Sequence, residues 1–97
     1  MVREDLICTN EVRVASISLD AGEVSPQHYH SQVIETIICL NGIIEVQYGD
    51  PGEQVLLQPG QRHDVMPKVK HKLLNVSDSQ SVYLLIQTGE YDFITRC

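Results

Sequence analysis

An all-β sandwich or barrel of roughly eight strands is the architecture this sequence predicts. Three observations lead there. Short apolar runs rich in Val and Ile recur along the chain, turn signals separate them about every ten residues, and no segment carries a capped helical stripe.

The elements follow in order. VRVASISL at 12–19 alternates, with Val12, Val14, Ser16 and Ser18 on one face and Arg13, Ala15, Ile17 and Leu19 on the other. DAGEVSP breaks the chain at 20–26. VIETIICL at 33–40 is the next strand. If Glu35 faces the interior, so do Val33, Ile37 and Cys39, while Ile34, Thr36, Ile38 and Leu40 pack the other way. Asn41-Gly42 leads into IIEVQY at 43–48, GDPG at 49–52 into QVLLQ at 54–58, and Pro59-Gly60 closes that strand. HKLLNV at 71–76 turns Leu73 and Asn75 inward with His71, and VSDSQ connects it to SVYLLIQ at 81–87. No repeat, low-complexity segment or linker interrupts residues 1–97, which suits a single domain. A chain of this size has a thin core, and terminal strands leave edges to cover, so a homodimer is expected.

Charge excludes whole classes of partner. Asp and Glu outnumber Lys and Arg by 13 to 7, giving a net charge of -6. Nucleic acid and anionic membrane surfaces both need a basic face and are not expected. MVREDLICTN carries charges where a secretory signal has its apolar stretch, and no apolar run is long enough to span a bilayer. Cys8, Cys39 and Cys97 are odd in number and lack C-x-x-C spacing, which indicates no disulfide framework and a reducing cytoplasm.

Half of the four histidines lie in SPQHYHSQVIE at 25–35. Residues two apart on a strand point the same way, so His28 and His30 project together and Tyr29 faces away. Glu35 stands at an odd offset from His30. A bend at Ser31-Gln32 resets the parity and returns the carboxylate to the same interior. Imidazoles converging with a carboxylate suit one divalent transition metal ion, Fe, Mn, Ni, Zn, Co or Cu, rather than calcium. A further ligand comes from a distant strand, where His63 and His71 remain. The Lys68, Lys70 and Lys72 series reads as a solvated strand face.

Gly22, His28, His30, Glu35 and Gly42 follow the pattern G-x5-H-x-H-x4-E-x6-G. The chain thereby resembles the cupin superfamily. The second cupin motif, G-x5-P-x-G-x2-H-x3-N, is followed from Gly60 through His71 to Asn75, with Met66 in place of its proline and Lys68 in place of its glycine. A rival alignment starts at Gly52 and ends on His63, and the spacing between the motifs favours His71. The resemblance implies a cupin-type jelly-roll β-barrel of two antiparallel sheets. It also implies one metal held near the mouth by His28, His30, Glu35 and His71. His63 reads as a surface or pocket-rim residue on the strand leading to the turn. Gln27, Cys39, Tyr83 and Gln87 are the candidates for contact with a small-molecule ligand.

The segment from Val69 to Tyr91 is similar to the cupin part of bifunctional mannose-6-phosphate isomerases through His71, Asn75 and Gly89-Glu90-Tyr91. That resemblance implies metal-assisted isomerisation of a small polar, sugar-like substrate. Cupin dioxygenases, which use Fe(II) and O2, are the second expectation. A small-molecule binding or sensing module without catalysis is the third.

Overall fold

The computed structural model describes residues 1–49 and 52–90. Eight strands follow one another: β1 (Val2–Cys8), β2 (Val12–Leu19), β3 (Val33–Asn41), β4 (Ile44–Tyr48), β5 (Glu53–Leu57), β6 (Arg62–Val65), β7 (His71–Asn75) and β8 (Ser81–Gly89). One sheet has the order β1-β2-β8-β3-β6 and the other β5-β4-β7, with antiparallel pairing throughout. The described residues contain no helix. This is the all-β, two-sheet architecture that the alternation and turn signals predict.

The core lies between the sheets and is built from alternate residues. Ala15, Ile17 and Leu19 of β2 face Ile44 and Val46 of β4 across the sandwich, with Ile37, Leu73 and Leu85 completing the layer. Each such Leu or Ile contributes roughly 1.5–3 kcal/mol by leaving water. On β3 the burial alternates from Val33 through Glu35, Ile37 and Cys39, as the parity of the sequence requires. At the turn after β3, Gly42 has φ 80 and a Cβ there would collide with the side chain of Ser81.

Two departures have physical causes. The apolar runs do not reveal β1, because it is exposed along nearly its whole length and has no buried stripe to read. The 25–30 segment is extended but not a regular strand. It and the preceding Val24 touch β7 through isolated bridges, Val24 to Leu74 and His28 to His71. Pro26 lacks an N–H and cannot continue a ladder. Cys8 is disulfide-bonded, against the expectation of no disulfide, whereas Cys39 is a free, buried thiol.

Asn75 ties the end of the barrel opposite His71 on β7. Its side chain is buried and its Nδ2 reaches the carbonyls of Leu19 (3.0 Å), Asp20 (3.1 Å) and Ser79 (2.7 Å). Its Oδ1 accepts from Ser77 N (3.0 Å), Ser77 Oγ (2.7 Å) and Ser81 Oγ (2.9 Å). The asparagine that closes the second motif is therefore a structural hub joining the β2–β3 and β7–β8 connections.

Replacing Asn75 with Ala removes all of these bonds and leaves buried partners unpaired. The expected loss is about 3 kcal/mol. Urea unfolding checks it, through a lower midpoint at an unchanged slope.

Candidate metal centre

Antiparallel register brings the polar side chains together at one end of the sandwich. Glu35 on β3 is the cross-strand partner of Gln87 on β8, so both point into the same interior. Glu35 is 1% exposed and His71 2%, which sets this pair at the back of the cluster. The bends at Ser31 and Gln32 separate the 25–30 segment from β3, and both of its histidines reach Glu35 across them.

The distances define the cluster. Glu35 Oε1 lies 3.5 Å from His30 Nε2, 4.0 Å from His28 Nε2 and 2.7 Å from the Gln87 amide nitrogen. Glu35 Oε2 lies 2.5 Å from His71 Nε2. Ligand atoms of His28, His30 and Glu35 all fall within 4.8 Å of one another, a grouping that can hold a metal ion. Two ligand atoms about 2.1 Å from a shared ion lie between about 3 Å apart when adjacent and about 4.2 Å apart when opposite. The 3.5 and 4.0 Å separations sit inside that range. The donor set of neutral nitrogen and one carboxylate therefore fits a transition-metal ion.

Backbone carbonyls fix the ring orientations. His28 Nδ1 lies 2.9 Å from Pro26 O and His71 Nδ1 lies 3.0 Å from Val69 O. A carbonyl can only accept, so both Nδ1 atoms carry hydrogen and both Nε2 atoms turn toward the carboxylate. A bare imidazole nitrogen cannot sit 2.5 Å from a carboxylate oxygen, since both are acceptors. The His71–Glu35 contact is shorter than the separation of two ligands on one ion, so it is a hydrogen bond with a proton between the two atoms, and the metal-capable grouping consists of His28, His30 and Glu35.

The electrostatics agree. Burial pushes the Glu35 carboxyl up, but hydrogen bonds from His28, His30 and His71 outweigh it and hold the group well below the usual carboxylate range. The same hydrogen bond to Glu35 raises the His28 ring above its ordinary value, against burial. Glu35 is ionised at any physiological pH.

The other sequence candidates are distributed differently. Gln87 joins the cluster, 2.7 Å from Glu35 and 3.5 Å from His30. Cys39 and Tyr83 are cross-strand partners buried in the core, and Gln27 is exposed beside His28. His63 lies outside the cluster, with its ring centroid 4.4 Å from that of Tyr48. Tyr29 faces solvent. Tyr91 falls outside the described residues.

Sequence reasoning had no signal for the carbonyls of Pro26 and Val69, because any residue supplies a carbonyl. Lys68 was visible as a departure from the motif's glycine, and its backbone keeps the glycine conformation, with φ 67. Its N–H donates to His30 O at 2.6 Å, which ties the turn before β7 to the histidine segment. A lysine there carries left-handed strain that a glycine would relieve.

Residues 15–87 match the family model described as "Cupin domain". No curated protein sequence matches the chain. Among solved structures, TT1209 from Thermus thermophilus superposes with a TM-score of 0.85 at 21% identity, covering 93% of this chain and 84% of its own. KdgF from Halomonas sp. superposes with a TM-score of 0.81 at 19% identity, covering 93% of this chain and 79% of its own. An oxalate oxidase superposes with a TM-score of 0.77 at 16% identity, covering 86% of this chain and 44% of its own. At these identities the likeness is one of fold. No helix among the described residues is long and apolar enough to cross a membrane.

Lys68→Gly should raise unfolding free energy by about 0.5–1 kcal/mol, the left-handed penalty less the extra entropy of glycine in the unfolded chain. A thermal or urea unfolding comparison measures it. His63 gives a pH test away from the cluster. Burial holds its ring below the ordinary value. The unfolded chain therefore binds that proton more readily. The contribution of His63 is complete above about pH 6.5 and is lost as pH falls below it toward the lowered folded value. His63→Phe should remove that loss, so the variant gains stability relative to the parent between about pH 7 and pH 5, measured by urea unfolding across the range.

Proposed function

The chain belongs to the cupin domain family, and on that footing we propose that it holds one divalent transition-metal ion and acts on a small polar, sugar-like substrate by isomerisation. The ligands are His28, His30 and Glu35, with His71 as the fourth. The observation that carries this reading is the convergence of imidazole Nε2 atoms on one buried carboxylate, with two of the rings locked by carbonyls in the tautomer that ligation needs.

When bound, such an ion supplies Lewis acidity toward a carbonyl or hydroxyl oxygen of the substrate. The chain supplies the rest. Glu35 contributes the negative charge of the centre, and Gln87 donates to its Oε1, which fixes the carboxylate plane. Glu35 and His71 close the back of the centre. The side chain of His28 is 40% exposed and that of His30 17%, so the substrate approaches from the 25–30 segment. Gln27 lies on that approach. The sugar-like substrate class rests on the resemblance of the His71–Asn75 segment to the isomerase cupins.

Equilibration with Fe, Mn, Co, Ni, Cu or Zn followed by elemental analysis should give about one ion per chain, falling below about a tenth in His28→Ala and in Glu35→Gln. A parent protein that retains less than about a tenth of an ion with every metal sinks the proposal. Metal at 100 times its Kd should stabilise the fold by about 2.7 kcal/mol. The loaded protein should interconvert an aldose and a ketose in the absence of oxygen. Oxygen uptake with the substrate would replace isomerisation with an oxidative reaction, and stabilisation by the sugar without turnover would leave a binding module.

A further inference from the structure

Three of the four histidines are engaged with the buried carboxylate, and the fourth is not. His63 lies on β6 as the cross-strand partner of Ile37. Ile37 points inward and is fully buried, so the ring of His63 faces the same interior. Ile37 stands two residues along β3 from Glu35, and Glu35 pairs with Val65, which makes His63 the diagonal neighbour of the carboxylate on one face. Diagonal neighbours lie about 7–8 Å apart, within reach of aromatic and long side chains. The second sheet backs this ring. Tyr48 on β4 is the cross-strand partner of His71 and shares its inward face. The rings of Tyr48 and His63 meet between the sheets, with centroids 4.4 Å apart and planes at 41°. The Tyr48 hydroxyl donates to Glu53, its cross-strand neighbour on β5, and desolvation together with that bond raises its pKa. Glu53 therefore anchors Tyr48, and Tyr48 backs His63.

His63 is half-buried, and its ring nitrogens have no hydrogen-bond partner among the described residues. Burial keeps the ring neutral at pH 7, so one nitrogen retains its lone pair. Isomerisation of an aldose needs a group that takes a proton from one carbon and returns it to the next. His28, His30, Glu35 and His71 are engaged in the centre, and the amide of Gln87 does not titrate. We propose that His63 is the base that carries this proton and that Tyr48 positions it, an assignment that rests on the isomerase reading. His63 takes the proton from C2 of the aldose. The C2–H electron pair forms the C1=C2 bond, and the carbonyl pair moves onto O1. The proton of the O2 hydroxyl passes to O1. The O2 pair then forms a carbonyl at C2, and the C1=C2 pair takes the proton back from His63 at C1. No other reactant enters, and the imidazole ends as it began.

Metal-loaded protein with D-xylose, D-glucose or D-mannose in D2O tests the assignment, with ketose and deuterium at C1 read by NMR. The parent should form ketose that carries deuterium at C1. His63→Ala should lower kcat about a hundredfold with KM and metal content unchanged, and added imidazole should raise that rate about tenfold. His63→Gln should be as slow, and it serves in place of alanine where alanine does not fold. Tyr48→Leu removes the backing ring and should lower kcat about tenfold, with no rescue by imidazole. In protein loaded with Zn, the His63 ring resonance, assigned by its loss in His63→Gln, should shift when the sugar is added. A parent that forms no ketose and takes up no deuterium overturns the isomerase reading and this assignment with it. A parent that does both while His63→Ala or His63→Gln keeps its rate overturns the assignment alone. So does a slow His63→Ala that imidazole leaves slow, or a His63 resonance that the sugar does not move.

Discussion

A single ionised carboxylate buried at one end of the sandwich is the constraint around which the rest is arranged. Glu35 is 1% exposed, and an isolated charge at that depth would cost many kcal/mol. The fold answers by surrounding it with three imidazoles and one amide donor. Their combined pull outweighs desolvation and keeps the carboxyl ionised. The imidazoles of His28 and His71 are in turn oriented by backbone, through Pro26 O and Val69 O. Side chains that would be a liability in a core become a centre able to bind a cation.

The surrounding frame explains why this end is chemical and the other is structural. β7 carries a buried histidine at its start and a structural asparagine at its close, both turned inward by the same alternation. Between them lies Leu73, part of the apolar layer that fills the sandwich. Asn75 joins the β2–β3 and β7–β8 connections at the closed end. At the other end the 25–30 segment is held to β7 by few backbone bonds, among them the reciprocal pair between His28 and His71. That lighter tethering is what leaves His28 partly open to solvent.

The legible parts of the sequence were those governed by parity. The inward set of β3, from Val33 to Cys39, follows once one residue is placed, and the structure keeps it. The bend at Ser31-Gln32 was legible for the same reason, since a carboxylate at an odd offset needs one. Elements without a buried face were not legible: β1 is exposed on both sides and carries no alternation that hydrophobicity can reveal. Cys39 and Tyr83 looked like pocket residues because they share the face of Glu35, yet depth along the strand puts them in the apolar core.

By itself the sequence determined six of the eight strands, the inward faces of β3 and β7, and the His28, His30 and Glu35 grouping, while His71 was singled out by the resemblance to the second cupin motif. These depend on residue type and on a period of two, both of which are local. Only the tertiary structure decided that Gln87 grips Glu35, that carbonyls of Pro26 and Val69 set the ring tautomers, and that Lys68 holds a left-handed turn against His30. Those contacts join strands far apart in the chain or use backbone atoms common to every residue, so no local pattern encodes them.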